Sequence, residues 1–164
     1  MRVSDDPLDE MARRFGRAAK KRKVLVALAE SCTGGGLAAC ITRIPGSAHW
    51  FDRSYVTYSN DAKRQMLGVS KRTLERYGAV SEQVAREMVR GALRRSISDV
   101  AVSITGIAGP TGATPGKPVG LVWIAWASRG GDVQPRAFLF KGDRVAVRRQ
   151  AIATALQGLI ELVG

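Results

Sequence analysis

Val24-Leu25-Val26-Ala27-Leu28-Ala29 is a continuous apolar run, closed by Lys23 on one side and by Glu30 and a glycine cluster on the other. A run this short that does not alternate reads as a β-strand covered on both faces, so the fold must supply helices to both sides of a sheet. The remaining pattern supplies them. Apolar positions at Leu8, Met11, Phe15 and Ala18 or Ala19 predict a helix from about Asp6 to Lys20, and Leu37 to Thr42 predicts a second, ending near Pro45-Gly46. Ser54 to Tyr58 reads as a strand, and Asn60 as the N-cap of a helix over Ala62 to Leu67 that Gly68 stops. A short helix over Lys71 to Tyr77 precedes a long amphipathic one, capped by Ser81 and running through Arg95, with Val84, Met88, Ala92 and Leu93 inward. Val100 to Ile104 is a third apolar strand, and Thr105 to Pro118 is a broken, glycine- and proline-rich loop. Val119 to Ala127 and Arg136 to Phe140 form a hairpin around Arg129-Gly130-Gly131-Asp132. Asp143 caps a last helix to about Leu162, with Val147, Ala151, Ala155, Leu159 and Leu162 inward. This order predicts a three-layer α/β/α single domain over residues 1–164, with a mixed, mostly parallel sheet. The basic N-terminal helix within residues 1–23 belongs to that domain.

Such a chain needs no disulfide to stay folded. Cys32 and Cys40, with the single His49, match no zinc spacing, so no metal is expected, and thiols of this kind suit a reducing, cytoplasmic setting. No apolar stretch reaches membrane-spanning length, and the N-terminus does not resemble a secretory signal. The formal net charge of +12 points to a nucleic acid, an acidic membrane or a phosphorylated small molecule. Lys20-Lys21-Arg22-Lys23 falls at a helix end, where cations complement the helix dipole and are solvated, so a nucleic-acid partner is not expected.

In open α/β sheets ligands bind beyond the carboxyl ends of the parallel strands. Glu30 to Gly36, Tyr58 to Lys63 and Thr105 to Pro110 each follow a predicted strand directly, so all three are expected in one crevice. Ser31 at the first of these turns can serve as a nucleophile with neighbouring main-chain amides as an oxyanion hole, or simply occupy a tight turn. His49, beside Trp50-Phe51, is a candidate base but reads better as a packed imidazole. Lys63 is the other candidate, because desolvation and the positive end of a helix depress an ammonium pKa. Tyr58 could relay the proton. Cys32 is a rival nucleophile or a small buried residue. Gly106, Gly109 and Gly112 could wrap a phosphate or ribose with main-chain N–H groups. Arg144, opening the last helix, and Arg148, one turn on, suit a phosphate monoester.

Ala29-Glu30-Ser31-Cys32-Thr33-Gly34-Gly35, Val56-Thr57-Tyr58-Ser59-Asn60 with Lys63, Gly78-Ala79-Val80-Ser81, Ser103 to Pro110, Lys117-Pro118-Val119-Gly120 and Gly142-Asp143-Arg144 together resemble the CinA C-terminal domain family from about Val24 onward. The resemblance implies an amidase that converts nicotinamide mononucleotide to nicotinic acid mononucleotide and ammonia, with no cofactor and no metal. It implies Ser31 as nucleophile, with Tyr58 and Lys63 completing the catalytic group. Glu30, Thr33, Gly34, Gly35, Asn60, Thr105, Gly106, Gly109, Arg144 and Arg148 are the expected substrate-binding set. Thr105 stands where relatives often carry serine, and it keeps the hydroxyl. Family members also suggest a homodimer. Longer members carry a pyrophosphatase-like domain with no counterpart here, and its activity is not expected. Two other readings remain open at this point: a nucleotide-binding module without catalysis, and a DNA-associated accessory protein.

Overall fold

The computed structural model describes residues 6–164; the first five residues of the expected domain lie outside the described ones. Helix α1 spans Pro7–Arg22: the Asp6 carboxylate accepts from the Leu8 N–H, and Pro7 opens the helix where no N–H is needed. It ends at Lys23, held left-handed at φ 57°. Leu8, Ala12, Phe15 and Ala19 face inward, whereas Met11 is only half-buried, because Asp9 takes an inward place and its carboxylate accepts from Arg43 Nε at 2.7 Å.

Strands β1 (Val26–Glu30), β2 (Phe51–Val56), β3 (Val100–Gly106), β4 (Leu121–Ser128) and β5 (Gln134–Leu139) form one sheet in the order β2-β1-β3-β4-β5. β1 runs parallel to β2 and β3, while β4 is antiparallel to β3 and β5, so β4 alone points the opposite way. β2 begins and ends earlier than its sequence suggests. Its ladder with β1 closes at Glu30 and Val56, where β1 turns away, which leaves Thr57 and Tyr58 beyond the strand.

Alternation along β1 divides the core. Val26 and Leu28 join Phe15, Leu37, Ile41, Trp50, Leu156 and Leu159 under α1, α2 (Gly36–Thr42) and α6 (Arg144–Val163). Ala27 and Ala29 face Val84, Met88 and Ala92 on α5 (Glu82–Arg94), with Leu67 of α3 (Asn60–Leu67) and Leu74 of α4 (Lys71–Tyr77) behind them. The small strand residues on that face let α5 lie close. At Gly91 any Cβ would fall 2.1 Å from Leu67 O, so glycine is what permits the contact between α5 and α3. Truncating a fully buried residue such as Leu28 to alanine should cost ~2–5 kcal/mol.

The inward positions expected on α5 are all buried. On α6 Leu162 is half-buried and Val163 is the buried residue instead, because that helix is apolar over much of its circumference and its sequence marks the inner face weakly. The N-cap of α3 is Ser59, not Asn60: Ser59 Oγ accepts from the Ala62 N–H at 3.0 Å and Asn60 is the first helical residue. Lys63, one turn further on, is buried on the inner face of α3.

Candidate active site

β1, β2 and β3 end side by side, and the chain leaving each of them enters one crevice. Ser31 follows β1, and its N–H donates to Ile104 O of β3 at 3.0 Å. The turn after it closes with Gly34 N–H on Ser31 O at 2.9 Å and Gly36 N–H on Thr33 O at 2.8 Å. Gly34 and Gly35 have φ of 56° and 92°, conformations that a side chain would strain.

The N-terminus of α2 has no side-chain cap of its own. Glu30 supplies it from the end of β1. The carboxylate is fully buried and accepts from Thr33 Oγ1 at 2.8 Å, Leu37 N–H at 2.9 Å, Ala38 N–H at 3.1 Å and Ser54 Oγ at 3.0 Å. Four donors and the positive end of a helix stabilise a charge that would otherwise be costly to bury. Glu30 thereby ties the serine turn to α2 and β2.

Lys63 reaches the same turn from α3. Its side chain is 1% exposed, and Nζ lies 2.9 Å from Ser31 Oγ, 2.7 Å from Thr57 O and 3.3 Å from Tyr58 O. Burial lowers its pKa from 10.5 to about 8. A neutral amine has two N–H bonds, which the two carbonyls accept, and one lone pair, which then faces the Ser31 hydroxyl.

The Tyr58 side chain is 59% exposed and points elsewhere: its hydroxyl accepts from Arg144 Nη2 at 2.8 Å, and Arg144 Nη1 donates to Gly109 O at 3.0 Å. Among the described residues no hydrogen bond joins the phenol to Ser31 or Lys63.

A cleft of about 230 Å³ opens over Ser31 and Lys63. Of the residues expected to bind substrate, Asn60, Thr105, Gly106, Gly109 and Arg144 line it. Glu30, Thr33, Gly34 and Gly35 support the turn from behind and are not part of its wall. Arg148 is also outside, donating from Nη2 to Thr33 O at 3.0 Å, while its buried Nε has no partner among the described residues. Thr105 Oγ1 donates to Ala79 O at 2.8 Å, which brings Ala79 and Val80, part of the Gly78 to Ser81 motif but not of the expected substrate-binding set, into the wall. The N–H groups of Cys32, Ala108 and Gly109 donate to no oxygen among the described residues, and all three residues line the cleft.

His49 is exposed on a 3₁₀ turn before β2, at the opposite end of the sheet, and is neither packed nor near Ser31. Cys32 is buried, and burial pushes its thiol pKa up to about 11, the opposite of what an attacking thiolate needs. Among the described residues no group of three or more His, Cys, Asp or Glu side chains is placed to hold a metal ion.

The CinA C-terminal domain model matches residues 8–163. Over 157 residues the sequence is 53% identical to the nicotinamide-nucleotide amidohydrolase PncC of Escherichia coli K12, covering 96% of this chain and 95% of that one. It is 48% identical to the protein of that name from Pseudomonas putida, covering 96% and 98%. The crystal structure of the competence/damage inducible protein CihA from Agrobacterium tumefaciens superposes with a TM-score of 0.94 at 45% identity, over 99% of each chain.

Proposed function

The chain belongs to the CinA C-terminal domain family, and on that premise we propose that it hydrolyses the carboxamide of a nicotinamide nucleotide, with Ser31 as nucleophile and Lys63 as its base. The observation that carries the assignment is the 2.9 Å approach of Lys63 Nζ to Ser31 Oγ at the floor of the cleft. Full-length likeness to nicotinamide-nucleotide amidohydrolases supports the choice of substrate.

Neutral Lys63 takes the Ser31 proton as Oγ attacks the amide carbon, and a new C–O bond replaces the carbonyl π bond. The negative charge that develops on the carbonyl oxygen is met by the N–H of Cys32, the residue after the nucleophile, which donates to no oxygen among the described residues. When the C–N bond breaks, Lys63 returns the proton to the departing nitrogen and ammonia leaves. A water then loses a proton to Lys63 and attacks the acyl-serine, releasing the carboxylate, and Ser31 regains its proton. Direct transfer suits the geometry, since the Tyr58 phenol is engaged with Arg144. Arg144 at the opening of α6, with the free N–H groups of Ala108 and Gly109, is placed for the substrate phosphate, whose binding orients the amide. Among the described residues no helix is long and apolar enough to cross a membrane. The reading includes a homodimer acting in the cytoplasm; light scattering on the purified protein should give a particle of two chains, and a monomer would remove the dimer.

Ammonia release from nicotinamide mononucleotide by the wild type and by Ser31→Ala tests the whole. The variant should bind the nucleotide and release no ammonia. Turnover at the wild-type rate would refute Ser31 as nucleophile, and no release by the wild type would refute the substrate.

A further inference from the structure

A second cleft, of about 210 Å³, lies at the opposite end of the sheet from Ser31, between α1 and the segment that leads into β2. Arg13, Arg17 and Lys20 border it from α1, and Pro45, His49 and Trp50 from the other side. Trp50 is 3% exposed and packs edge-on against Phe15, with ring centroids 5.4 Å apart. Its Nε1–H nevertheless donates to nothing among the described residues, whereas Trp126 Nε1 donates to Ala155 O at 3.0 Å. The nitrogen is not itself sealed off: Trp50 lines the cleft, so its N–H is open to an acceptor from that side.

The position of Gly16 explains how this donor stays open. Gly16 lines the cleft, and a Cβ there would lie 2.7 Å from Trp50 Cζ2 and 3.0 Å from Nε1, so the missing side chain uncovers that edge of the indole. Among the described residues, the charged or polar side chains around the opening are cations, an imidazole and the indole, and no carboxylate lines it. Arg13 and Arg17 both pair with Glu10, but the Arg17 pair is more than half exposed on each side. Such pairs contribute little and yield readily to a better-placed anion.

We propose that this cleft is a binding site for a small organic anion, a phosphate monoester with a compact apolar body, whose oxygen accepts from Trp50 Nε1 while Arg17 and Lys20 neutralise its charge. Pro45 supplies an apolar wall. The recessed indole favours a terminal phosphate over a continuous nucleic-acid backbone, which would ride on the rim without reaching it.

The site can be read through the indole N–H itself. In ¹H–¹⁵N spectra of the full chain, with the Trp50 signal identified by Trp50→Phe, titration with phenyl phosphate should shift the Trp50 indole resonance saturably and leave those of Trp123 and Trp126 in place. Arg17→Gln combined with Lys20→Gln should weaken that binding at least about tenfold while ammonia release and melting temperature stay at wild-type values. An unmoved Trp50 resonance, or equal affinity in the double variant, overturns the proposal. So does a short single-stranded DNA that shifts the resonance at lower concentration than phenyl phosphate, because the rim would then be a nucleic-acid surface. Both clefts admit phosphates, so the titration is repeated with Arg144→Ala; loss of the Trp50 shift in that variant would assign the effect to the Ser31 cleft and overturn the proposal.

Discussion

Lys63 Nζ sits 2.9 Å from Ser31 Oγ although the two residues belong to segments that leave different strands. Register makes the contact: β1 and β2 run in parallel up to Glu30 and Val56, so the turn after β1 and the helix after β2 begin at the same level. With Lys63 as the proposed base, Lys63→Met should lower kcat by at least about a thousandfold while KM changes little. Steady-state ammonia assays give both constants. A variant retaining a tenth of wild-type kcat would remove Lys63 from the proton path.

The same proposal carries a pH dependence. With its pKa lowered to about 8 by burial, only about a tenth of the free enzyme carries the neutral amine at pH 7. kcat/KM should therefore rise close to tenfold per pH unit below that value and level off above it; a profile flat from pH 6 to 9 would exclude this base. Linkage adds a stability signature. The folded protein binds fewer protons at Lys63 than the unfolded chain between about 8 and 10.5, so this residue's contribution to stability rises with pH through that window. Subtracting the Lys63→Met denaturation curves from those of the wild type should isolate that rise.

That the segments carrying Ser31 and Lys63 share one crevice was legible in the sequence because it depends on topology, and the family resemblance then paired the two residues. Three strands ending together bring their loops together, whatever the side chains do afterwards. The roles of Glu30 and Tyr58 depend on where side chains point, and local spacing does not specify that. Glu30 turns into the core because α2 begins without a cap and Ser54 arrives from β2, a contact 24 residues away. Tyr58 turns out toward Arg144, which is 86 residues distant. The inner face of α5 was readable from its amphipathic pattern, whereas β2 was placed too late because Thr57 and Tyr58 have strand-like composition but lie past the ladder, which ends at Val56 with the Thr57 N–H donating to Glu30 O at 2.8 Å.

Glu30 offers a test of how the nucleophile is held. Glu30→Gln keeps the shape but turns one acceptor into an NH₂ group that faces donors. Two main-chain N–H groups and two hydroxyls converge on that carboxylate, so at least one donor loses its partner in the buried site. The expected cost is ~2–4 kcal/mol, and kcat should fall as the serine turn loosens. Chemical denaturation and ammonia release measure the two effects on the same preparation. Wild-type stability in Glu30→Gln would show that the buried carboxylate does not organise the turn.

Arg144 and Tyr58 separate binding from chemistry. Arg144 donates to Tyr58 Oη and Gly109 O from the cleft wall, with no hydrogen bond to Ser31 or Lys63 among the described residues. Arg144→Ala should raise KM for nicotinamide mononucleotide by about ten- to a hundredfold, the weight of one or two charge-assisted hydrogen bonds to phosphate, with kcat nearly unchanged. Tyr58→Phe removes the hydroxyl that helps to position Arg144 but keeps the main-chain carbonyl within reach of Lys63 Nζ. Its effect should therefore be a few-fold rise in KM with kcat retained. A fall in kcat of several hundredfold in Tyr58→Phe would instead make the phenol a proton carrier, and the direct path from Ser31 to Lys63 would have to be abandoned.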